Sequence, residues 1–362
     1  MMEPTAANNH LRRPTKPRRI LLVGDIREGR PPETGEQVKN QLLSSFLRQR
    51  HRLDTIDTEH WKRRPRVVPR LLWSIFAGGY DTIILSASSG SVHRLLRILS
   101  ISPRILARTL YLVVGGYLPM GIREGRFKAA AYAGLKAIVL QGEGLRKELA
   151  GLGIASPLHV MPNSKPLPRL HGDAGRYAGP AVRFLFLGRI AEPKGTLTVF
   201  DALRHPLLKD RTDRFSVDFY GRIEDGHRDR FLSEMEIHGN CTYKGYIDVT
   251  HEPDRSYAAF AGYHAMLFPT HWMGEGFPGV VIDAYVAGLP VIASDWNMNR
   301  EVVEEGATGR IIPPKDPAAL AAAMASVLDD PGSWARMSEA CHMAVRAYDA
   351  EDVLARHLEP LL

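Results

Sequence analysis

The chain has 362 residues, 44% hydrophobic and 24% charged. This is the balance of a folded globular protein and excludes wholesale disorder and collagen-like repeats. At roughly 150 residues per domain the length points to two domains. No apolar run approaches the ~20 residues of a membrane-spanning helix. Two cysteines, Cys241 and Cys341, are too few for a disulfide framework or a Cys-based zinc site and read as reduced thiols of a cytoplasmic protein. The formal charge of +7 conceals a split. Residues 1–180 hold 29 of the 47 Lys+Arg and 13 of the 40 Asp+Glu, a net +16, which leaves −9 for residues 181–362. Such asymmetry predicts an anionic partner for the first half: nucleic acid, an anionic membrane or a phosphorylated substrate.

Residues 1–17 carry Arg12, Arg13, Lys16 and three prolines, without the apolar stretch of about 7–15 residues that a secretory signal needs; they read as a basic tail. Ile20–Gly24 is a short apolar run ending in Gly, a buried strand. Thr34, with Gln37 three residues on, is a capping-box pattern that starts a helix. Strands are predicted at 53–57, 82–86, 110–114, 137–140 and 158–161, with amphipathic helices between them, among them 69–77 and 122–134. Pro162, Pro166, Pro168, Gly172, Gly175, Gly179 and Pro180 break this rhythm and mark an interdomain linker. The alternation then restarts, with strands at 183–187, 216–220, 265–268, 290–293 and 310–312, and helices at 196–203, 254–260, 280–287 and 318–328. Strands alternating with helices make parallel βαβ units. The expected class is α/β, as two facing Rossmann-like, doubly wound domains over 1–175 and 176–362, the last helix being free to pack back on the first domain. Ligands in such folds sit beyond the carboxyl ends of the strands, so both sets of strand-end loops should line the cleft.

Three of those loops carry chemistry. After the first strand, Asp25 to Gln37 offers helix-end amides to an anion, and Gly35 lets a ligand come close to the backbone. The loop lacks the dinucleotide G-x-G-x-x-G and the P-loop Lys-Ser/Thr, so neither cofactor is expected there; a plain capped helix explains it equally well. In the second half, Gly188-Arg189-Ile190-Ala191-Glu192-Pro193-Lys194 puts two cations on a Pro-stiffened turn. The planar fork of Arg189 and the point charge of Lys194 suit a diphosphate. The third loop carries the most information: Phe268 ends a strand, and Glu275-Gly276-Phe277-Pro278-Gly279-Val280 leads into an apolar helix that contains Asp283. Free amides of Gly279 and Val280 favour an anion at that terminus. The carboxylates of Glu275 and Asp283 suit sugar and ribose hydroxyls, which donate hydrogen bonds to them.

As an ordered series these residues resemble glycosyltransferase family 4, retaining enzymes with the GT-B fold. The matching pieces are Phe186-Leu187-Gly188-Arg189, Lys194-Gly195, Tyr220-Gly221-Arg222, Tyr243 to Ile247, Glu275 to Pro278, Asp283-Ala284, Ala287 to Ser294, Glu301 and Gly306 to Gly309. In the first half only Thr34-Gly35-Glu36 and Val114 to Leu118 match. The resemblance implies a nucleotide-sugar donor, UDP- or GDP-linked. Arg189 and Lys194 would bind its diphosphate and act in catalysis with Glu275, and Gly188 and Gly276 to Val280 would cradle the phosphates. Glu275 would contact the sugar, Asp283 the ribose, and Arg222 and Ile247 the base. Two departures stand out. Asp283 occupies a place that is usually Glu, and Gly115-Gly116-Tyr117 has no His where many members carry one, so no catalytic His is assigned. No Asp-x-Asp motif is present, and with no metal ligand and no cofactor expected the transfer is expected to be metal-independent.

The basic half would then hold the acceptor. Lys62, Arg63, Arg64, Arg66 and Arg70 interleave with Trp61, Trp73 and aliphatic residues, and Arg94 and Arg97 share a helix face. Cations beside apolar side chains suit an anionic bilayer, at ~1 kcal/mol per Lys or Arg near its surface. The expected partners are therefore a lipid-linked or glycan acceptor in cell-surface polysaccharide synthesis and the inner face of the cell membrane, bound peripherally from the cytoplasm. Nucleic acid is not expected, because no helix-turn-helix, zinc or RNP-type motif accompanies the charge. A nucleotide-sugar epimerase of the same fold and a non-catalytic nucleotide-sugar binder remain as alternatives.

Overall fold

The computed structural model describes residues 16–59, 61, 66–168, 176–179 and 181–362. The first domain runs β1 (Arg19–Gly24), α1 (Gly35–Arg50), β2 (Arg52–Asp57), α2 (Val67–Ala77), β3 (Thr82–Ser86), α3 (Ser89–Leu99), α4 (Pro103–Leu106) and β4 (Thr109–Leu112). It continues with α5 (Tyr117–Arg123), β5 (Ala137–Leu140), α6 (Glu143–Gly151) and β6 (Leu158–Val160). The second runs β7 (Val182–Leu187), α7 (Thr196–Leu203), β8 (Phe215–Tyr220), α8 (Arg228–Ile237), β9 (Cys241–Gly245), α9 (Pro253–Phe260) and β10 (Ala265–Phe268). It closes with α10 (Gly279–Val286), β11 (Val291–Ser294), α11 (Asn299–Val302), β12 (Gly309–Ile312), α12 (Pro317–Asp329), α13 (Pro331–Ala344) and α14 (Ala350–His357).

Each domain has a six-stranded parallel sheet, ordered β2-β1-β3-β4-β5-β6 in the first and β12-β11-β10-β7-β8-β9 in the second. Helices cover both faces, which is why inner strands such as Ile83–Ser86 and Ala265–Phe268 are buried at every position. The strand order reverses between β1 and β3 in one sheet and between β7 and β10 in the other. Those two places are the switch points, where a crevice opens beyond the strand ends.

The strands expected from the sequence lie where they were read, to within two residues at their ends. One expected helix does not form. Over 122–134 the chain makes only the end of α5 and a short 3-10 turn at Ala129–Tyr132. Gly125 and Gly134 take positive φ of 71° and 79° there, and Phe127 folds back against Gly121. Strand β9 and helices α8 and α13 were not anticipated: β9 is an edge strand with mostly exposed residues, and α8 is too polar to show a periodic face. Of the linker, residues 169–175 and 180 lie outside the described residues.

The chain crosses between domains twice at one place. Lys165 NH donates to the Tyr348 carbonyl and Ala350 NH to the Lys165 carbonyl, each at 3.0 Å, so the outgoing and returning strands of chain are bonded together. Past that crossing, α14 lies on the first sheet, where Val353, Leu354, Leu358 and Leu362 join Ile20, Leu22, Leu43 and Leu110 in one core. The last segment of the chain therefore stabilises the first domain. Leu354→Ala should lower stability by ~2–5 kcal/mol through the cavity left in that core. Urea denaturation followed by circular dichroism measures it, with nucleotide absent.

Candidate active site

The loop after β7 and the loop after β10 meet at the switch point of the second sheet. Gly195, with φ +82°, starts α7 against the Pro269 carbonyl, where any Cβ would collide, so the two loops are locked side by side. The Lys194 ammonium then lies 2.6 Å from Glu275 Oε2, to which the Thr270 hydroxyl also donates at 2.9 Å. Glu275 is 8% exposed. A carboxylate buried this far requires a charge partner and hydrogen-bond donors. The Trp272 ring lies beneath both expected cations, 5.0 Å from the Arg189 guanidinium and 4.6 Å from Lys194. Arg189 also faces Glu224 at 3.4 Å.

A cavity of about 70 Å³ opens here, lined by Gly188, Lys194, Glu275, Pro278, Gly279 and Val280 among others. Pro278 stands at the N-cap of α10 and Gly279 is its first residue, so the helix presents free amides to this space. Gly276 and Phe277 adjoin it, Phe277 packed against Tyr348. Arg222 and Ile247 sit further along, at the ends of β8 and β9, and Arg222 stacks on Tyr246 at 4.8 Å. Gly35 lies across the cleft at the start of α1, where the Thr34 hydroxyl accepts from Gln37 NH at 3.3 Å and a Cβ on Gly35 would meet nothing.

The structure places Asp283 in company that the sequence did not reveal. It is buried on α10, and its carboxylate accepts from Lys165 Nζ at 2.5 Å and from the Tyr257 hydroxyl at 2.9 Å. Lys165 is the residue at the domain crossing, so α10 is tied to it. Burial and the Asp283 carboxylate hold the Tyr257 hydroxyl protonated, as a donor. Nothing local in the sequence marks Lys165 or Tyr257: one lies in a Pro-rich linker and the other on an unremarkable helix.

The first domain reaches the site through its loops after β4 and β5. A Cβ on Gly116 would lie 3.0 Å from the Glu275 carbonyl, which also accepts from Asn297 Nδ2 at 2.8 Å. That approach favours a small residue here, at the stretch that lacks a His. The Glu301 carboxylate accepts from the amides of Glu143 and Gly144, at 2.6 and 2.9 Å, and so caps α6 from the other domain. Between these contacts lies a second cavity of about 210 Å³, lined by Gly116, Glu148, Glu275, Asn297 and Glu301. Three carboxylates, of Glu148, Glu275 and Glu301, are among its lining, and carboxylates suit hydroxyl groups. His93 is buried against Phe127 and Tyr132, and His271 NH is fixed to the Pro193 carbonyl; neither lines these cavities. Among the described residues no group of three His, Cys, Asp or Glu side chains is arranged to hold a metal.

Residues 177–342 match the family described as glycosyl transferases group 1. That match spans most of the second domain. Curated relatives include a phosphatidyl-myo-inositol mannosyltransferase of Mycolicibacterium smegmatis, 32% identical over 164 residues, which are 44% of this chain and 40% of that protein. They also include a glycogen synthase of Mycobacterium tuberculosis, 30% identical over 201 residues, 53% of this chain and 45% of that one. The chain thus aligns with less than half the length of these relatives. Over both domains it shares the GT-B fold of sucrose-phosphate synthase from Thermosynechococcus elongatus (TM-score 0.73, 18% identity, 93% and 96% covered). HepE of Anabaena, solved in complex with UDP and glucose, is similar as well (TM-score 0.66, 15% identity, 93% and 97% covered). The second domain therefore supplies the whole lining of the Lys194–Glu275 cavity, and the first domain meets its Glu275 loop at Gly116.

Of the basic surface, Lys62, Arg63 and Arg64 lie outside the described residues. Arg66, Arg70, Arg94 and Arg97 are all exposed, on or beside α2 and α3. No described helix is long and apolar enough to cross a membrane. On the cleft side of the first sheet, burial and Asp25 raise the Glu36 carboxyl from 4.5 to about 7, while burial lowers Lys39 to about 8. A carboxyl raised on folding stabilises the protein below its unfolded value, and that contribution is lost as pH rises through the folded one. Glu36→Gln should therefore abolish a loss of up to about 3 kcal/mol between pH 4.5 and 7. Thermal midpoints over this range measure it, and Lys39 titrates only above it.

Proposed function

We propose that the protein transfers a hexose from a UDP- or GDP-linked donor to a hydroxyl of a lipid-linked glycan, with retention of configuration and without metal or cofactor. The observation that carries this reading is the cavity where Lys194, Glu275 and the free amides of α10 converge at the switch point of the second domain. It combines an anion site with a carboxylate that accepts from hydroxyls, the two chemistries of a nucleotide sugar. The names of the relatives, and the UDP and glucose bound by HepE, support the donor class.

In this scheme the acceptor oxygen bonds the anomeric carbon on the face that the diphosphate leaves. The anomeric carbon–oxygen bond to the diphosphate breaks, and the departing phosphate oxygen takes the acceptor's proton. The residues of the chain stabilise charge on that leaving group. Lys194, Arg189 and the amides of Gly279 and Val280 face the phosphates, Gly188 and Gly276 to Pro278 shape their cradle, and Gly35 leaves room opposite. Glu275 holds the sugar. Asp283, ordered by Lys165 and Tyr257, meets the ribose, while Arg222, stacked on Tyr246, and Ile247 meet the base. The exposed Arg66, Arg70, Arg94 and Arg97 turn the first domain toward an anionic inner membrane surface.

Lys194→Ala should lower kcat ~10²–10³-fold, the usual cost of removing a group that stabilises developing charge. Initial rates with UDP- and GDP-sugars test this, and near-normal turnover would remove the assignment. In the unmodified protein, UDP or GDP at 100 times its Kd should add ~2.7 kcal/mol of stability, read as a thermal shift. In a flotation assay, binding to vesicles should require anionic lipid and weaken with salt.

A further inference from the structure

The first sheet has a switch point of its own, and a cavity of about 270 Å³ lies beside it that the donor reading does not use. Its walls are Val23 and Leu85 from the ends of β1 and β3, Val68 and Leu71 from α2, and Val92 and Leu95 from α3. The lining is apolar save for Thr58, Ser91 and Arg94. An apolar cavity of ~150 Å³ stays dry and accepts a benzene-sized guest. This one is larger, and it lies at the strand ends that face the cleft, where doubly wound sheets take their ligands.

Its mouth is cationic. Arg94 is exposed and part of the lining, so it stands at the opening, its guanidinium 5.5 Å from the Trp61 ring that forms another part of the wall. Arg97 is exposed on the same helix. Ile98 belongs to the lining yet is 42% exposed. An apolar hole with a cation at its opening matches one kind of molecule: a hydrocarbon chain that carries a phosphate.

We propose that this cavity seats the hydrocarbon chain of a phosphate-bearing lipid, with the phosphate at Arg94. The role of that lipid as acceptor rests on the function proposed above; its binding does not, since no donor and no turnover are involved.

Calorimetric titration with hexyl, octyl, decyl and dodecyl phosphate, below their micelle concentrations, tests it. Affinity should rise ~4-fold for each added methylene and then level off once the cavity is full. No binding, or a rise without a ceiling, overturns the proposal. Ser91→Phe, which fills the cavity, and Ile98→Asn, a polar change at its half-exposed lip, should each weaken decyl phosphate at least 10-fold while the thermal shift with UDP or GDP persists. Unchanged affinity in both variants refutes the site. Arg94→Gln should weaken decyl phosphate but not decanol; equal loss for both removes the phosphate from the proposal. If neither UDP nor GDP binds the unmodified protein while the chain-length ceiling is present, the donor assignment falls and the lipid site stands.

Discussion

The geometry of the candidate site depends on one buried carboxylate. Glu275 is largely withdrawn from solvent, so it must be matched by a cation and by donors. Lys194 and Thr270 supply both, and Lys194 comes from a different loop. Meeting this requirement joins the loop after β7 to the loop after β10 at the switch point, aims α10 into the cleft and places Trp272 beneath the two cations. An ion pair there is poor evidence of added stability, because desolvation offsets most of its attraction. Its consequence is positional: a cation and a carboxylate are held ready for ligands that carry phosphates and hydroxyls.

A second buried carboxylate links that geometry to the domain arrangement. Asp283 is held by Tyr257 from its own domain and by Lys165 from the crossing, and the Lys165 backbone is bonded to residues 348 and 350. Glu301 adds a contact on the other flank by capping α6. The cleft is thus bounded on both sides by charged groups of one domain that meet polar groups of the other. Such contacts are directional and exchangeable with water, unlike the hydrophobic packing that seats α14 on the first sheet.

Much of this could be read from residue order. Short apolar runs located the strands, and Thr34 with Gln37 located a helix start that the structure reproduces to the residue. The series from Phe186 to Gly309 pointed to glycosyltransferases, and residues 177–342 match the family described as glycosyl transferases group 1. The reading failed where burial rather than pattern decides. The stretch 122–134 looked amphipathic but is broken by positive-φ glycines and by Phe127 packing on Gly121. The edge strand β9 has no buried run, because one side of it meets solvent.

The sequence by itself determined the architecture, two parallel α/β sheets with loops at one edge, because hydrophobic period and turn chemistry are local properties. It also determined which residue types those loops hold, and the opposite charges of the two halves. Tertiary structure alone decided the pairings: Lys194 with Glu275 across 81 positions, Lys165 with Asp283 across 118, and Gly116 against the Glu275 carbonyl. Ion pairs and close backbone approaches are set by where folded elements come to rest, and no local pattern records that. The apolar cavity between α2 and α3 belongs with them, since an empty space has no residues of its own.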